Sequence, residues 1–187
     1  MNEALFMDLA LSNEVNREIL NRLPSLGLPD AWLVSGCLFQ TIWNLRTDRD
    51  PNYGIKDYDI FYFDPDTSWE AEDREIKRVE AAFADIDAEV ELKNQARVHL
   101  WYRQKFGTTY PQLARSTEGI ENFLAPCCMV GVSVSEEGRD VYAPKGFHDL
   151  EQMIVRPNLT GNFTKEAYDL KSARWKTAWP ELMVISV

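Results

Sequence analysis

The stretch Ile55-Lys56-Asp57-Tyr58-Asp59-Ile60-Phe61-Tyr62-Phe63 decides the fold of this chain, because it sets two carboxylates in a strongly apolar strand pattern. Side chains on a strand alternate between its faces, so Asp57 and Asp59 point the same way, about 7 Å apart along the strand. The aromatic and β-branched residues around them favour a strand. Buried charges are costly unless they are paired or bind metal, and oxygen ligands favour a hard cation such as Mg²⁺ or Mn²⁺. The stretch therefore predicts a metal site on the face that carries both acids.

A second feature lies upstream, where the apolar run Trp32-Leu33-Val34 predicts a strand that ends at Ser35-Gly36. The pattern from Cys37 to Leu45 then predicts a helix. A small turn that opens a helix leaves backbone N–H groups free to meet a phosphate. Ser35 and Gly36 are therefore candidate nucleotide-binding residues.

The turn, the helix and the Asp-x-Asp strand, in this order, resemble the DNA polymerase β-like nucleotidyltransferase superfamily. The residues that match its signature are Ser35, Gly36, Asp57 and Asp59. The resemblance implies an α/β (α+β) protein with a mixed, mostly antiparallel sheet and helices packed mainly on one face. It also implies two bound ions, Mg²⁺ or Mn²⁺, at the carboxylates.

The segment Ala88-Glu89-Val90-Glu91-Leu92 alternates strictly and predicts a half-buried strand. Members of the superfamily take a third carboxylate from a strand beside the Asp-x-Asp strand, so the resemblance makes Glu91 the first candidate and Glu89 the second. Asp57, Asp59 and Glu91 are thus predicted to be both the catalytic residues and the metal ligands. An exposed acidic strand face is the alternative interpretation of Glu89 and Glu91.

The run Asn94-Gln95-Ala96-Arg97-Val98-His99-Leu100-Trp101-Tyr102 extends the resemblance. Together with Ser35-Gly36, Asp57-Tyr58-Asp59 and Glu91, it is similar to a small bacterial family of stand-alone nucleotidyltransferase-like proteins, formerly a domain of unknown function. The resemblance covers nearly the whole chain. It implies a fold and a reaction class rather than a substrate.

Two residues of that run are candidates for nucleotide binding, on a predicted helix that ends at Gly107. Arg97 could neutralise triphosphate charge, because a guanidinium binds phosphate in a bidentate manner. An ion pair between Arg97 and Glu91 or a neighbouring acid is the alternative. His99 could contact the nucleotide or orient a carboxylate, with a packed, hydrogen-bonded histidine as its alternative.

The remaining pattern predicts a single domain over residues 1–187, with an N-terminal helical segment over about 1–24 and a C-terminal helix and tail over about 163–187. Four cations of the last helix form a basic cluster: Lys165, Lys171, Arg174 and Lys176. A solvated helix face is one interpretation of this cluster, and contact with nucleotide phosphates or an RNA end is the other.

Composition limits the classes of function. The net charge of −10 argues against a protein that coats long nucleic acids, since such binding depends on many Lys and Arg contacts to phosphate. No apolar run approaches the ~20 residues of a membrane helix. The N-terminal residues lack a signal-peptide pattern, so we expect a cytoplasmic location. The three cysteines, Cys37, Cys127 and Cys128, are expected to be buried structural thiols.

The function predicted from these features is transfer of a nucleoside monophosphate from an NTP to a hydroxyl acceptor, with release of pyrophosphate. The acceptor is left open between a small molecule, an RNA end and a protein. The first alternative is a non-catalytic protein that binds nucleotide or metal and keeps the fold. The second is a metal-dependent sugar transferase that uses Asp-x-Asp with a nucleotide-sugar, a class whose usual fold needs a longer chain.

Overall fold

The computed structural model describes residues 1–136 and 138–187. The α-helices are α1 (Glu3–Ala10), α2 (Glu14–Arg22), α3 (Gly36–Arg46), α4 (Trp69–Ala82), α5 (Val98–Phe106), α6 (Ser116–Glu121), α7 (His148–Glu151) and α8 (Lys165–Ala178). Short 3-10 helices span Leu23–Leu26 and Pro126–Cys128. Among the helices of the described residues, none is long and apolar enough to pass through a membrane.

The strands are β1 (Trp32–Val34), β2 (Asp57–Tyr62), β3 (Glu89–Asn94), β4 (Gly131–Ser135), β5 (Gly138–Tyr142), β6 (Ile154–Val155) and β7 (Met183–Val184). The described residues form a five-stranded sheet of order β3-β2-β1-β4-β5 and a small sheet of β6 and β7. In the large sheet only β2 and β3 run parallel, and the other neighbours pair antiparallel. This is the predicted mixed, mostly antiparallel sheet.

The two faces of the large sheet are covered differently. Tyr58, Ile60 and Tyr62 of β2 point into the main core, which includes buried side chains from α1, α2, α3, α4, α7 and α8. Phe61 points to the opposite face and joins a small cluster with Ile120 of α6. Because side chains alternate along β2, Asp57 and Asp59 lie on this second, thinly covered face. The prediction that helices pack mainly on one face is confirmed.

Helix α8 is fixed against α3 by aromatic packing. The Trp43 ring of α3 lies 5.9 Å from the ring of Trp175 and 5.5 Å from the ring of Trp179. The indole Nε1 of Trp179 also donates a hydrogen bond of 2.7 Å to Asn44 Oδ1 in the buried interior. The opposite side of α8 is therefore held in a defined place beside the sheet.

The local sequence signals account for several element ends. A break separates α1 from α2, and the Asn13 side chain caps α2 by accepting hydrogen bonds from the N–H groups of Val15 and Asn16. Helix α5 ends at Gly107, which adopts φ +75°, as predicted. The segment Glu136-Glu137-Gly138-Arg139 predicts a hairpin turn, and β4 and β5 do pair antiparallel, but Glu137 itself lies outside the described residues.

Candidate active site

The parallel register of β2 and β3 brings the predicted carboxylates together. Asp59 lies opposite Glu91, and Asp57 lies opposite Glu89. Residues paired across neighbouring strands share a face of the sheet. Asp57, Asp59 and Glu91 therefore lie on one face, the one that α6 only partly covers.

The Ser-Gly turn adjoins these acids. Val34, the last residue of β1, pairs with Asp59, so Ser35 and Gly36 follow directly beside the acidic strand. A Cβ placed on Gly36 would lie 3.9 Å from Asp57 Oδ1. The N-terminus of α3, where the N–H groups of Gly36 and Cys37 precede the first helical hydrogen bonds, is thus next to the carboxylates.

Ser35 has an unusual backbone conformation, with φ +57° and ψ −113°. Its own N–H donates a 2.9 Å hydrogen bond to the carbonyl oxygen of Val130, and its carbonyl accepts from the N–H groups of Leu38 and Phe39. A non-glycine residue at positive φ costs on the order of 1–3 kcal/mol and persists only where its surroundings enforce it. The turn is therefore held in place from both sides.

Lys93 is the residue of this site that sequence reasoning missed. Its ammonium Nζ lies 3.0 Å from Asp59 Oδ1 and 2.5 Å from Glu91 Oε2. Lys93 follows Glu91 by two residues on β3, so strand alternation alone assigns it to the acidic face. The two-residue spacing from Glu91 therefore indicates, from the sequence alone, that Lys93 belongs to this site.

Asp57 differs from the other two acids because no described residue donates a hydrogen bond to its carboxylate or forms an ion pair with it. Burial, together with the negative charges of Asp59 and Glu91, raises the pKa of Asp57. A half-buried carboxylate that lies beside two others and has no ion-pair partner among the described residues is a place where a cation would be stabilised.

The carboxylates of Asp57, Asp59 and Glu91 are chemically suited to a hard metal ion, but their arrangement suits it only in part. Carboxylate oxygens are the ligands that Mg²⁺ and Mn²⁺ prefer. As the side chains stand, however, no group of three or more His, Cys, Asp or Glu within residues 1–136 and 138–187 is arranged to hold a metal ion. The Lys93 ammonium group lies between two of these acids and contacts both Asp59 and Glu91. Asp57 and Asp59 would supply the first metal contacts, and Glu91 could join only after Lys93 moves.

Arg97 is engaged elsewhere. Its guanidinium forms an ion pair with Glu72 of α4, donates a 2.8 Å hydrogen bond to the carbonyl oxygen of Thr67, and lies 5.4 Å from the ring of Trp69. The Arg97 and Glu72 side chains are only 12% and 7% exposed. The acid paired with Arg97 is thus Glu72 rather than Glu91.

The beginning of the Asn94–Tyr102 run is largely a structural junction. Asn94 ends β3, and its side chain accepts hydrogen bonds from the N–H groups of Asp64 and Ala96 while donating to the carbonyl oxygen of Asp64. Its backbone N–H donates to Glu72 Oε1 at 2.8 Å. His99 is half-buried, and its buried Nδ1 has no hydrogen-bond partner among the described residues. The nucleotide-binding roles of Arg97 and His99 stay predictions.

A cavity of about 730 Å³ opens beside Asp59 and Lys93. Its walls come from α5, α6 and α8 and from the loops that follow α5 and precede α8. The lining includes aromatic side chains and cations: Trp101, Tyr102, Lys105, Phe106, Tyr110, Lys171 and Arg174. Sequence reasoning missed it because these residues are far apart in the chain, and only the basic cluster of α8 gave a signal.

The cysteines take no part in the site. Cys37, Cys127 and Cys128 are buried and free. Burial raises the pKa of the Cys37 and Cys127 thiols, which keeps them protonated and unreactive. The prediction that all three thiols are buried is confirmed.

Comparisons with known proteins identify the family to which this chain belongs. A family model described as nucleotidyltransferase matches residues 21–184. A protein solved by NMR, described as revealing a CCA-adding enzyme head domain, is 26% identical, with a TM-score of 0.79 over 100% of this chain and 97% of that chain. A comparison with curated proteins gives no match. Because the family model covers most of the chain and the structural likeness covers all of it, this protein belongs to the nucleotidyltransferase family.

Proposed function

We propose that the protein transfers a nucleoside monophosphate from an NTP to a hydroxyl acceptor and releases pyrophosphate in a metal-dependent reaction. Family membership supports the reaction class. The observation that carries the proposal is the convergence of Asp57, Asp59 and Glu91 on one sheet face next to the Ser35-Gly36 turn. A polyphosphate and its counter-ions need these two components, a set of hard oxygen ligands and a cluster of N–H donors.

Each residue has a distinct role in this proposal. Asp57 and Asp59 would hold Mg²⁺, with Glu91 as a further ligand or as the base that accepts the proton of the acceptor hydroxyl. When bound, the ions would neutralise the triphosphate and lower the pKa of the attacking hydroxyl. The backbone N–H groups that follow Ser35 would hold the phosphates. Positioning and electrostatics of this kind account for most of the catalysis of phosphoryl transfer.

The acceptor stays open between a small molecule, an RNA end and a protein. The likeness to a CCA-adding enzyme head domain keeps an RNA end among the candidates.

The second candidate function is binding of nucleotide without transfer. The contact of Lys93 with both Asp59 and Glu91 favours it, because a side chain then takes the place of a cation between two predicted ligands. Nucleotide binding that depends on Asp57 and Asp59, with no transfer to any of a broad set of hydroxyl acceptors, would support this candidate over the first.

The test is a thermal-shift titration with each NTP, with and without Mg²⁺. We expect the melting temperature to rise only when metal and nucleotide are both present. Asp59→Asn should abolish the rise, while Asp140→Asn, which removes an exposed acid from β5 of the same sheet, should keep it. An undiminished Mg²⁺-dependent rise in Asp59→Asn would show that the site is elsewhere.

A further inference from the structure

The cavity beside Asp59 concentrates positive charge in an acidic protein. Four cations line it, Lys93, Lys105, Lys171 and Arg174, against the single carboxylate of Asp59. The whole chain carries a net charge of −10. Such a local reversal of sign points to an anionic ligand, because a cleft lined by one sign of charge attracts the opposite charge. The volume of about 730 Å³ suits one small molecule rather than a macromolecular segment.

Most of these cations have no acidic partner. Lys105, Lys171 and Arg174 form no ion pair with any residue in the described ranges. By contrast, Lys165 of the same helix α8 pairs with Asp169 at 2.9 Å. The four cations predicted as one basic cluster are therefore not equivalent, and only Lys171 and Arg174 face the cavity.

The position of Lys171 connects the cavity to the carboxylates. Lys171 and Arg174 of α8 line the same cavity as Asp59 and Lys93 of the sheet. Lys171 and Arg174 are three residues apart, so they lie on the same side of α8. Phosphates held between Asp59 and α8 would meet both cations.

Aromatic side chains of α5 and of the loop that follows it also line the cavity. The Tyr102 ring lies 4.6 Å from the ring of Phe106 and 4.5 Å from the ring of Tyr110. Trp101 lines the same wall, and Lys105 Nζ lies 5.6 Å from its ring. Nucleobases stack on such aromatic surfaces with little regard to sequence.

A buried polar group also lines the cavity. Gln95 is 1% exposed, and its side-chain oxygen Oε1 has no hydrogen-bond partner among the described residues. Gly119 allows Gln95 to lie there, since a Cβ on Gly119 would come within 2.3 Å of that oxygen. Buried carbonyls are nearly always hydrogen-bonded, so an acceptor left free beside an aromatic wall suits the N–H donors of a base.

We infer that this cavity binds the substrate nucleotide, with the base against the Tyr102–Phe106 wall and the phosphates between Asp59, Lys171 and Arg174. The inference rests on the proposed function and adds to it the residues that recognise the nucleotide. Lys171 and Arg174 then have the phosphate-binding role that the sequence suggested for Arg97.

The test measures equilibrium binding of Mg²⁺·NTP by calorimetry in wild type, Lys171→Ala, Arg174→Ala and Phe106→Ala. Lys165→Ala is the matched control, since it removes a cation from the same helix outside the cavity. We expect each cavity variant to weaken binding about tenfold, the usual size of a charge-assisted hydrogen bond or a stacked base. The control should bind as wild type does. Circular dichroism melting of every variant confirms that the fold is intact.

Binding of inorganic tripolyphosphate tests the cations of the cavity separately from its aromatic side chains. Its affinity should fall in Lys171→Ala and Arg174→Ala and stay unchanged in Phe106→Ala, which removes only a stacking surface. If Mg²⁺·NTP binding needs Asp59 but is unaffected by all three cavity variants, the inference is overturned while the proposed function stands. If the cavity variants weaken binding of an RNA oligonucleotide but not of Mg²⁺·NTP, the cavity binds the acceptor, and the inference is overturned. No NTP binding to wild type would refute both.

Discussion

The ammonium group of Lys93 lies 3.0 Å from the Asp59 carboxylate, beside the acids that would hold the proposed metal ion. The same group contacts Glu91 at 2.5 Å. Burial alone would lower the pKa of Lys93, but the charges of Asp59 and Glu91 outweigh burial and raise it. Lys93 therefore stays protonated, and it offsets the repulsion between the two acids.

Replacing Lys93 with methionine should change metal binding and metal-free stability in opposite directions. We expect Lys93→Met to bind Mn²⁺ about fivefold more tightly, equivalent to the roughly 1 kcal/mol of a partly exposed ion pair, because its competitor is gone. The melting temperature in EDTA should fall, since Asp59 and Glu91 then repel each other without compensation. Calorimetry with Mn²⁺ and melting curves in EDTA measure the two effects.

The control for Lys93 is Lys56→Met, which removes the exposed cation directly before Asp57. Lys56 precedes β2, is exposed and forms no ion pair with the acids among the described residues, so its loss should leave Mn²⁺ affinity nearly unchanged. Equal Mn²⁺ affinity in wild type and Lys93→Met would mean that the lysine and the metal do not compete.

Asp57→Asn should stabilise the protein in the absence of metal. Because the pKa of Asp57 is raised above its ordinary value of 3.8, the folded protein holds this proton more tightly than the unfolded chain does. Stability therefore falls as pH rises from about 4 through the raised pKa, and it stays lower at neutral pH. At pH 7 in EDTA we expect Asp57→Asn to melt about 2–4 °C higher, the shift that 1 kcal/mol produces in a domain of this size.

Two further conditions make the Asp57 prediction specific. The difference between wild type and Asp57→Asn should shrink below about pH 4, where the wild-type carboxyl is protonated in both states. Added Mg²⁺ should stabilise wild type more than the variant, by mass action on a ligand that the folded state binds. A lower melting temperature for Asp57→Asn at pH 7 in EDTA would instead assign Asp57 a structural role.

The parts of the site that sequence could predict are those set by spacing within one element. Asp57 and Asp59 share a face because a strand alternates with period two, and Ser35-Gly36 opens α3 because a small turn follows an apolar strand. Lys93 obeys the same period, so its place on the acidic face is also predictable from the spacing within β3. Strand alternation and turn chemistry depend on neighbouring residues, so they can be predicted without knowledge of the tertiary structure.

The cavity could not be predicted in the same way, since its walls come from α5, α6 and α8. The relative placement of these helices depends on distant packing, such as the contact of Trp175 with Trp43. The sequence also could not predict the orientation of the Arg97 side chain, because its partner comes from a distant element. Helix α5 begins at Val98, so Arg97 precedes its first turn, and its partner Glu72 lies 25 residues earlier in the chain.

The ion pair of Arg97 with Glu72 leads to the last prediction, which separates stability from nucleotide binding. Removing one member of a buried pair leaves the other charge uncompensated, at a cost of about 3–5 kcal/mol. We therefore expect Arg97→Ala to lower the free energy of unfolding by about 3 kcal/mol, measured by urea denaturation. Its affinity for Mg²⁺·NTP, measured below the transition, should stay close to that of wild type.

The double variant Glu72→Gln/Arg97→Ala provides the decisive comparison for Arg97. If the arginine acts through Glu72, the double variant should regain part of the stability lost in Arg97→Ala, because no unpaired carboxylate is then left buried. Rescue of stability without any change in nucleotide affinity would define Arg97 as a residue that holds the junction of β3, α5 and α4. A tenfold loss of Mg²⁺·NTP affinity in both variants would instead return Arg97 to the phosphate-binding role that its sequence context suggests.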